Sequence, residues 1–407
     1  MIRNNLLSLI LVFTLMAAGC CPSPTGPSEI PGVATIDLNV PQQLIRGFGG
    51  VNMPGWIPDL TSDQVQKAFG TGTGQIGLTI LRIRVSYDSM EFNLEVPTAL
   101  LAKSLGAIIF ASPWTPPASM KTNNNIAGGA LDTNYYAAYA AHLKSFADYM
   151  SNNGVPLYAV SVQNEPDYSA TYETCVWTPS QLLKFVKNNV QTIGTRIIVP
   201  EVGNFDHAFS DPILNDPVAA ANVSIIGGHI YGGGLTSYPL AISKGKEVWM
   251  TEHCDTARTW TAVLGTAKEI NDCMNADMNA YVWWYIRRFY GLIDDNSNVT
   301  KRGYVMSQYA KFVRPGFYRV SATASPQTNV DVTAYKKGSK VVIVALNRNS
   351  SSTDQTFTIW NGPPYMTFTP YITSSTKNCA QGSDIAVPNG SFTVTLDSSS
   401  VTTFVLN

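Results

Sequence analysis

The sequence predicts an α/β protein, a (β/α)8 TIM barrel with a side-associated β-sandwich domain. From residue 46 to residue 314, eight short apolar runs alternate with segments of helical spacing. Most of these runs are apolar at nearly every position, as in parallel strands that are covered on both faces. After Pro315 the pattern changes to strict alternation, with Ser, Thr, Asn and Gly at the turns. This second pattern indicates antiparallel strands.

The predicted barrel strands are the apolar runs that are rich in Val, Ile and aromatic residues. In chain order they are Arg46–Asn52, Thr79–Ser86, Gly106–Trp114, Leu157–Asp167, Arg196–Gly203, Ser224–Gly232, Glu247–His253 and Ala280–Arg288. Helical spacing is weak between the fifth and sixth strands and is clearest over Tyr135–Asn152, Pro179–Gln191, Thr259–Asn275 and Val305–Arg314. A doubly wound sheet is the alternative, but no GxGxxG or Walker-type loop follows the first strand.

Seven alternating segments predict the strands of the sandwich. They are Tyr318–Ala324, Val330–Lys336, Lys340–Asn347, Gln355–Trp360, Phe368–Thr373, Ser391–Leu396 and Val401–Leu406. Ala34–Val40 alternates in the same way, so we expect it to pair into the sandwich, the alternative being a free N-terminal arm. The predicted domains are therefore residues 33–45 and 315–407 for the sandwich and 46–314 for the barrel. Trp360 is expected to pack within the sandwich, the alternative being a platform for sugars on its surface.

The first residues have the features of a targeting segment. Residues 1–19 combine Arg3, an apolar stretch too short to span a bilayer, and small residues before Cys20, which predicts a signal peptide. Because residues 17–20 resemble a bacterial lipobox, Cys20 is the predicted lipidation site, with plain cleavage as the alternative. Residues 20–32 contain four prolines and are predicted to form a linker. We expect export from a bacterial cell, with the protein lipid-anchored at the envelope or secreted.

Composition excludes several classes of partner. Lys and Arg number 27 against 28 Asp and Glu, and the resulting net charge of -1 argues against nucleic acid. Aromatic residues reach 11% while charged residues are only 14%, a mixture that favours flat, uncharged ligand faces such as sugars. The four histidines have no paired spacing, so no metal and no cofactor is expected. We expect a monomer.

The cysteines do not predict a disulfide scaffold, because they are far too sparse to replace a hydrophobic core. Cys175 and Cys254 both belong to loops on the predicted active face, which leaves a disulfide between them open. Cys273 lies over three helical turns after Thr259 and should be a buried free thiol.

Two of the apolar runs end in a glutamate. The fourth run ends in Asn164-Glu165-Pro166, and the seventh ends in Thr251-Glu252-His253. Barrel active sites form at the C-terminal ends of the strands, so both carboxyls should project into one bowl. Two such carboxyls are what glycoside hydrolysis needs, and a separation of about 5–5.5 Å would indicate a retaining reaction. Burial should raise the pKa of the acid. Either glutamate alone could instead be a structural strand-end residue.

Further motifs give the chain a resemblance to glycoside hydrolase family 30, and within it to the bacterial glucuronoxylanase branch. The resemblance covers the chain from Ile45 to the C-terminus. It is carried by Gly47-Phe48-Gly49-Gly50, Ser112-Pro113-Trp114-Thr115-Pro116-Pro117, Gln163-Asn164-Glu165-Pro166-Asp167, Trp249-Met250-Thr251-Glu252-His253 and Tyr281-Val282-Trp283-Trp284-Tyr285-Ile286-Arg287-Arg288. Asn-Glu-Pro alone is shared by many retaining glycosidases, whereas the last run is far more specific.

The resemblance implies roles for individual residues. Glu165 would be the acid/base and Glu252 the nucleophile, while Arg288 and Tyr290 would bind the 4-O-methylglucuronate branch of xylan. The remaining substrate-binding candidates are Trp56, Trp114, Asn164, Tyr172, Tyr231 and Trp284. Trp177 could also stack a sugar, whereas Trp249 and Trp283 should be core. From the residues alone, Asn164 could instead cap its loop, and Arg287 or Arg288 could pair with a framework acid such as Asp294.

One loop departs from the pattern of the branch. Relatives usually carry Tyr two positions after the nucleophile, in a longer loop, whereas this chain has Cys254-Asp255-Thr256-Ala257. The sequence therefore predicts a retaining endo-β-1,4-xylanase that cleaves glucuronoxylan by double displacement, with relaxed dependence on the glucuronate. The alternatives are a xylosidase, a β-1,6-glucanase or a glucosylceramidase-like enzyme of the same family, or a non-catalytic carbohydrate-binding protein.

Overall fold

The computed structural model describes residues 30–407 and contains a closed barrel of eight parallel strands. The signal peptide, Cys20 and most of the predicted linker lie outside the described residues. The first strand, β1 (Val33–Leu44), precedes the barrel. The barrel strands are β2 (Gly47–Val51), β3 (Ile80–Val85), β4 (Ile108–Pro113), β5 (Ala159–Ser161), β6 (Arg196–Val202), β7 (Ile225–His229), β8 (Glu247–Glu252) and β9 (Ala280–Tyr285). All eight predicted strands are thus confirmed, although β5 is much shorter than its apolar run.

Nine α-helices in the described chain surround or connect these strands. They are α1 (Ser62–Phe69), α2 (Val96–Ser104), α3 (Tyr136–Asn152), α4 (Pro179–Asn188), α5 (His207–Asn215), α6 (Pro217–Asn222), α7 (Pro239–Ser243), α8 (Trp260–Asn275) and α9 (Lys301–Ala310). Short 3-10 helices cover Ser89–Glu95, Ala118–Met120, Thr133–Tyr135 and Val190–Thr192.

Helix ends follow side-chain caps more than apolar spacing. The final helix begins at Lys301, four residues before the predicted start, because the Thr300 hydroxyl accepts the backbone N–H of Gly303. Between the fifth and sixth barrel strands the pattern was weak, yet α5 and α6 form there. Asp206 and Asp216 cap these two helices.

The barrel interior is filled by large apolar side chains from alternate strands. Phe110 of β4 and Trp249 of β8 meet edge to face, with ring centroids 5.7 Å apart. Close strand packing requires glycine in β2, since a Cβ at Gly49 would lie 2.4 Å from the carbonyl oxygen of Ile80. Trp249 and Trp283 are fully buried, as expected for core residues. In the described part of the chain, no helix is long and apolar enough to cross a membrane.

The C-terminal strands form a curved sheet against one side of the barrel. They are β10 (Tyr318–Ala322), β11 (Val330–Lys337), β12 (Lys340–Asn347), β13 (Thr353–Trp360), β14 (Tyr365–Thr373), β15 (Ala380–Gln381), β16 (Ile385–Pro388), β17 (Ser391–Leu396) and β18 (Ser400–Leu406). The hydrogen-bonded order is β15-β14-β18-β12-β11-β10-β1-β13-β17, and β16 also pairs with β14. The strands β15 and β16 were not predicted, because they are too short to show alternation.

The curvature of this sheet produces the two layers of a sandwich. Phe357 of β13 and Phe392 of β17, from one end of the strand order, both contact Phe404 of β18 near the other end. Strand β1 joins the layers, because it pairs antiparallel with β10 and parallel with β13. The N-terminal segment is therefore an internal strand of the side domain. Trp360 is 45% exposed, so the expectation that it packs inside the sandwich is wrong.

The described cysteines form no disulfide. Cys175 is fully buried in the barrel's outer core, whereas Cys254 faces Tyr231. The Cys175–Cys254 pairing left open above is therefore wrong, because the two thiols face different surroundings. Cys273 is a buried free thiol, as predicted.

Candidate active site

A cleft of about 610 Å³ opens at the C-terminal ends of the barrel strands. Glu252, the last residue of β8, and Glu165, which follows β5, both line it, as do Tyr172, Tyr231 and Trp284. Asp167, Tyr168, Gly203 and Asn204 complete the lining. The structure thus brings together five of the residues that the sequence selected.

The two carboxylates face each other across His229, the last residue of β7. One carboxylate oxygen of Glu165, one of Glu252 and a ring nitrogen of His229 all lie within 4.8 Å of one another. Nδ1 of His229 is 3.0 Å from Oε1 of Glu165, and Nε2 is 4.0 Å from Oε2 of Glu252. His229 is completely buried, so its ring sits beneath the cleft and touches both acids.

Arg82, in the middle of β3, organises the floor of the cleft. Its guanidinium is fully buried and forms an ion pair with Oε2 of Glu252. Nη2 donates to Oδ1 of Asn164 over 2.6 Å, and Nε donates to Oγ of Ser112 over 3.0 Å. Nη2 also lies 3.2 Å from Oε1 of the buried Glu201 on β6. The single Arg82 guanidinium therefore contacts side chains from four other strands or strand ends and fixes their positions relative to one another.

The loop that carries Glu165 has an unusual backbone conformation. Glu165 has φ +44° and Glu201 has φ +55°, both in the left-handed region that ordinary residues avoid. The backbone N–H of Glu165 donates to the carbonyl oxygen of Glu201 over 3.0 Å, and that of Asn164 donates to Pro113 over 2.8 Å. These bonds fix the turn that aims Glu165 into the cleft. Residues with strained backbone conformations are common at functional sites, where contacts with the surrounding structure hold the conformation in place.

Tyr231 supports Glu252 from the side opposite Arg82. Its hydroxyl donates to Oε1 of Glu252 over 2.8 Å and lies 3.9 Å from Sγ of Cys254. Burial and the neighbouring carboxylate raise the pKa of Tyr231 well above its ordinary value, so the hydroxyl keeps its proton and remains a donor. Both oxygens of Glu252 thus have a partner, Tyr231 on one and Arg82 on the other.

The proton balance between Glu165 and His229 differs from expectation. Burial tends to raise the pKa of Glu165, but its hydrogen bond to His229 and the charges of His229 and Arg82 outweigh this and lower it below the ordinary value. Burial tends to lower the pKa of His229, but the carboxylates of Glu252 and Glu165 outweigh this and raise it. The expectation that burial raises the pKa of the acid is therefore wrong here, because a buried histidine contacts the carboxylate.

Aromatic rings extend from the carboxylates along one wall. Trp114 lies 5.8 Å from Trp284 and 5.6 Å from Trp56, and Trp56 lies 6.0 Å from Tyr172, all between ring centroids. The Arg82 guanidinium sits 4.9 Å from the Trp114 ring centroid and fixes that ring from below. These four predicted substrate-binding residues form one aromatic cluster, in which Tyr172 and Trp284 line the cleft and Trp114 is only 3% exposed.

Four residues from the sequence analysis lie elsewhere or have other contacts. Trp177 is buried and stacks on Tyr136, so it cannot stack a sugar. Arg288 and Tyr290 do not line the cleft itself, although they lie in the loop after β9, the strand that carries Trp284. Arg287, not Arg288, meets a framework acid, and that acid is Asp295 at 3.4 Å instead of Asp294.

Arg288 keeps its charge free of carboxylate partners. Among the described residues no carboxylate forms an ion pair with it, and its guanidinium lies 5.9 Å from the Tyr285 ring centroid. The suggestion that Arg288 pairs with Asp294 is therefore wrong.

The sequence analysis missed Arg82, His229 and Glu201. An arginine or glutamate inside an otherwise apolar strand is costly to bury without a partner, and that signal could have selected Arg82 and Glu201. His229 ends β7 just as Glu252 ends β8, and the two are paired in register. The glutamates were selected because they lie at the C-terminal ends of barrel strands, and the same rule would have selected His229.

The spacing of Glu165, His229 and Glu252 would also suit a metal ion. The charge of Arg82 already faces Glu252, and Nδ1 of His229 already faces Glu165. A dication would therefore meet a buried guanidinium beside its ligands, which is electrostatically unfavourable.

Comparisons with known proteins agree with this architecture. Residues 84–246 match the family model for the glycosyl hydrolase family 30 TIM-barrel domain, and residues 316–404 match that for the glycosyl hydrolase family 30 beta sandwich domain. The chain is 43% identical to Glucuronoxylanase XynC of Bacillus subtilis strain 168, over 100% of this chain and 99% of that protein.

Solved structures give the same result. The glycoside hydrolase family 30 subfamily 8 xylanase Xyn30A of Clostridium acetobutylicum superposes with a TM-score of 0.88 at 43% identity, covering 92% of this chain and 100% of that one. A GH30 endoxylanase from Clostridium papyrosolvens C71 gives 0.86 at 40% identity, covering 92% and 99%. The barrel, the side domain and the full-length similarity together show that this chain belongs to glycosyl hydrolase family 30.

Proposed function

We propose that this protein is a retaining endo-β-1,4-xylanase that cleaves glucuronoxylan, with Glu165 as the acid/base and Glu252 as the nucleophile. The observation that carries the proposal is the approach of the two carboxylates to within 4.8 Å across the cleft. This spacing supports retention, since retaining glycosidases hold their carboxyl groups about 5–5.5 Å apart and inverting enzymes about 6.5–9.5 Å apart. The names of the relatives support the substrate.

In the first step Glu252 attacks the anomeric carbon as the glycosidic C–O bond breaks, and Glu165 gives its proton to the leaving oxygen. Tyr231 and Arg82 hold one oxygen each of Glu252, which orients the carboxylate for attack. In the second step water attacks the glycosyl ester, Glu165 accepts the water proton, and Glu252 is released.

His229 supplies the proton that the first step needs. Its raised pKa and the lowered pKa of Glu165 place the proton on Nδ1, 3.0 Å from Oε1 of Glu165. When a sugar displaces water from the cleft, transfer of this proton turns two buried charges into two neutral groups. A less polar environment favours that change, so substrate binding converts Glu165 into an acid.

Arg288 and Tyr290 are assigned to the uronate branch of the substrate. Arg288 has no carboxylate partner among the described residues, so its planar guanidinium is available for the two parallel bonds that a uronate accepts. The loop after Glu252 offers Cys254 in place of the usual tyrosine. We therefore expect a preference for glucuronoxylan that is weaker than in relatives with the longer loop.

Export, lipidation at Cys20 and a monomeric state are part of the same proposal. Export and lipidation rest on the charged, apolar and small-residue pattern of residues 1–20. Metabolic labelling with a fatty acid would test lipidation, and a Cys20→Ser variant should lose the label.

The product profile from glucuronoxylan tests the activity. Wild type should release oligomers that carry a uronate near the reducing end, and proton NMR should show the β-anomer first. Glu252→Gln should be inactive, and Arg288→Ala should lose its preference for glucuronoxylan over linear xylan. Free xylose or glucose as the main product, or the α-anomer first, would contradict the proposal. Equal rates on both xylans with no effect of Arg288→Ala would refute the uronate preference.

A further inference from the structure

A second cavity, of about 520 Å³, lies where the barrel meets the side domain. We call it the basic cavity. Its walls come from three places: the segment after α9, the hairpin between β11 and β12, and the C-terminal strand β18. Its apolar lining includes Phe312, Val342 and Leu406. An apolar surface at a domain junction that is left open to solvent is a feature of ligand sites.

Among the residues that the structure describes, four cations and no carboxylate line this cavity. They are Lys311, Arg314, Lys337 and Lys340. Across the described chain none of the four forms an ion pair, although many other lysines and arginines do. The whole chain has a net charge of -1, so this excess is local and not a reflection of the overall composition.

Neutral backbone acceptors hold three of the cations in place. Lys311 Nζ donates to the carbonyl of Gly72 over 2.9 Å, and Lys337 Nζ donates to Pro315 over 2.8 Å. Arg314 donates to the carbonyls of Gly77 and Ala310. A carbonyl orients a cation without cancelling its charge, so these groups are positioned and remain electrostatically unsatisfied.

The cavity also depends on one glycine. Gly316 has φ +90°, and a Cβ there would lie 2.9 Å from Nζ of Lys337. Any other residue would strain the turn and push the ammonium group away. The left-handed backbone at residue 316 thus favours glycine, and the Lys337 side chain packs directly against it.

The basic cavity lies on the opposite end of the barrel from the candidate active site. Arg314 contacts the carbonyl of Gly77, just before β3 begins at Ile80, and therefore at the N-terminal ends of the strands. The catalytic cleft opens at their C-terminal ends. A ligand in the basic cavity cannot touch Glu165 or Glu252.

The cationic and apolar groups of the lining together favour a ligand that is anionic and also has an apolar face. Unpaired ammonium and guanidinium groups attract a carboxylate, and the apolar walls accept the flat side of a sugar ring. We propose that the basic cavity is a second polysaccharide-binding site, which holds a uronate-bearing xylan chain by its carboxylate. The choice of polysaccharide rests on the proposed function, and the site would retain the protein on the polymer independently of the cleft.

Affinity electrophoresis in gels containing glucuronoxylan tests this proposal. Glu252→Gln serves as the parent protein, since it should bind without hydrolysing. Adding Lys337→Ala and Lys340→Ala should weaken binding about fivefold, as expected for two exposed charge contacts. Lys103→Ala with Lys244→Ala removes two exposed lysines elsewhere and should have no effect. In gels of carboxyl-reduced glucuronoxylan, the parent and the Lys337/Lys340 variant should migrate alike.

A second measurement separates this site from the catalytic one. In otherwise wild-type protein, the Lys337/Lys340 variant should hydrolyse short soluble uronate-bearing oligosaccharides at the wild-type rate. Unchanged binding of that variant to glucuronoxylan would overturn the proposal. So would an equal loss on the carboxyl-reduced polymer, loss of binding on Trp360→Ala instead, or lysine-dependent binding to phosphatidylglycerol vesicles without any to glucuronoxylan. Failure of wild type to hydrolyse glucuronoxylan would reject the proposed function and leave the binding test intact.

Discussion

Nδ1 of His229 lies 3.0 Å from Oε1 of Glu165, and their contact lowers the pKa of Glu165 while the neighbouring carboxylates raise that of His229. In the proposed mechanism the two groups share one proton, which rests on the histidine before the substrate binds. Activity requires that proton, so kcat/KM should fall as the pH rises through the raised pKa of His229, above its ordinary value of about 6.5. In His229→Gln the proton must rest on Glu165 alone. The alkaline limb of the pH profile of kcat/KM should therefore move to lower pH by at least about one pH unit.

The pH profile of kcat/KM on a soluble substrate measures this shift. His207→Gln is the matched control, because His207 stacks on Tyr238 away from the cleft. An alkaline limb that stays in place in His229→Gln would show that His229 does not hold the catalytic proton.

Removing the Tyr231 hydroxyl should slow the reaction. Tyr231→Phe loses the hydrogen bond to Oε1 of Glu252, and a bond to a charged group contributes about 1.5–3 kcal/mol. We expect kcat/KM to fall roughly 10- to 100-fold. Tyr168→Phe, which also lines the cleft, should change it little. Similar values for both variants would exclude a specific role for the Tyr231 hydroxyl.

Replacing Arg82 should destabilise the whole barrel. Arg82→Met leaves Glu201 and Glu252 without their buried cation, and breaking a buried ion pair costs about 3–5 kcal/mol. Urea denaturation should show this loss in the free energy of unfolding, whereas the exposed Arg258→Met should stay within about 0.5 kcal/mol. A near-normal stability of Arg82→Met would contradict a structural role for these two ion pairs.

The four described thiols should react in two groups. Cys254 and Cys379 are half-buried and should be alkylated by iodoacetamide in the folded protein. Cys175 and Cys273 should react only after unfolding, because both are buried and burial raises the pKa of Cys175 to about 12. Peptide mapping by mass spectrometry, without reduction, would identify which cysteines are alkylated. A peptide linking Cys175 to Cys254 would contradict the structure.

The barrel could be predicted because parallel strands covered on both faces leave a clear apolar signal. Glu252 could be selected because it ends such a strand. Arg82 lies inside a strand, and its partners Ser112, Asn164 and Glu252 come from distant parts of the chain. Only their three-dimensional arrangement shows that one cation satisfies them all.

The proton balance was the harder part of the site to predict. Burial alone raises the pKa of a carboxyl, which was the expectation for Glu165. The direction reverses because a histidine ring from β7 lies within hydrogen-bond distance, and no local pattern around Glu165 encodes that contact. The strands β15 and β16 were missed for a simpler reason, since two to four residues are too few to establish a period.

Strand β1 has a consequence for the order of assembly. Val33 pairs with Thr356 and Ile36 pairs with Ala322, so the segment that leaves the ribosome early waits for partners made near the end of synthesis. Such long-range pairing slows folding, and the sheet of the side domain cannot be completed until most of the chain has been made. The barrel strands pair only with one another, so the side domain is the part of the molecule that must form last.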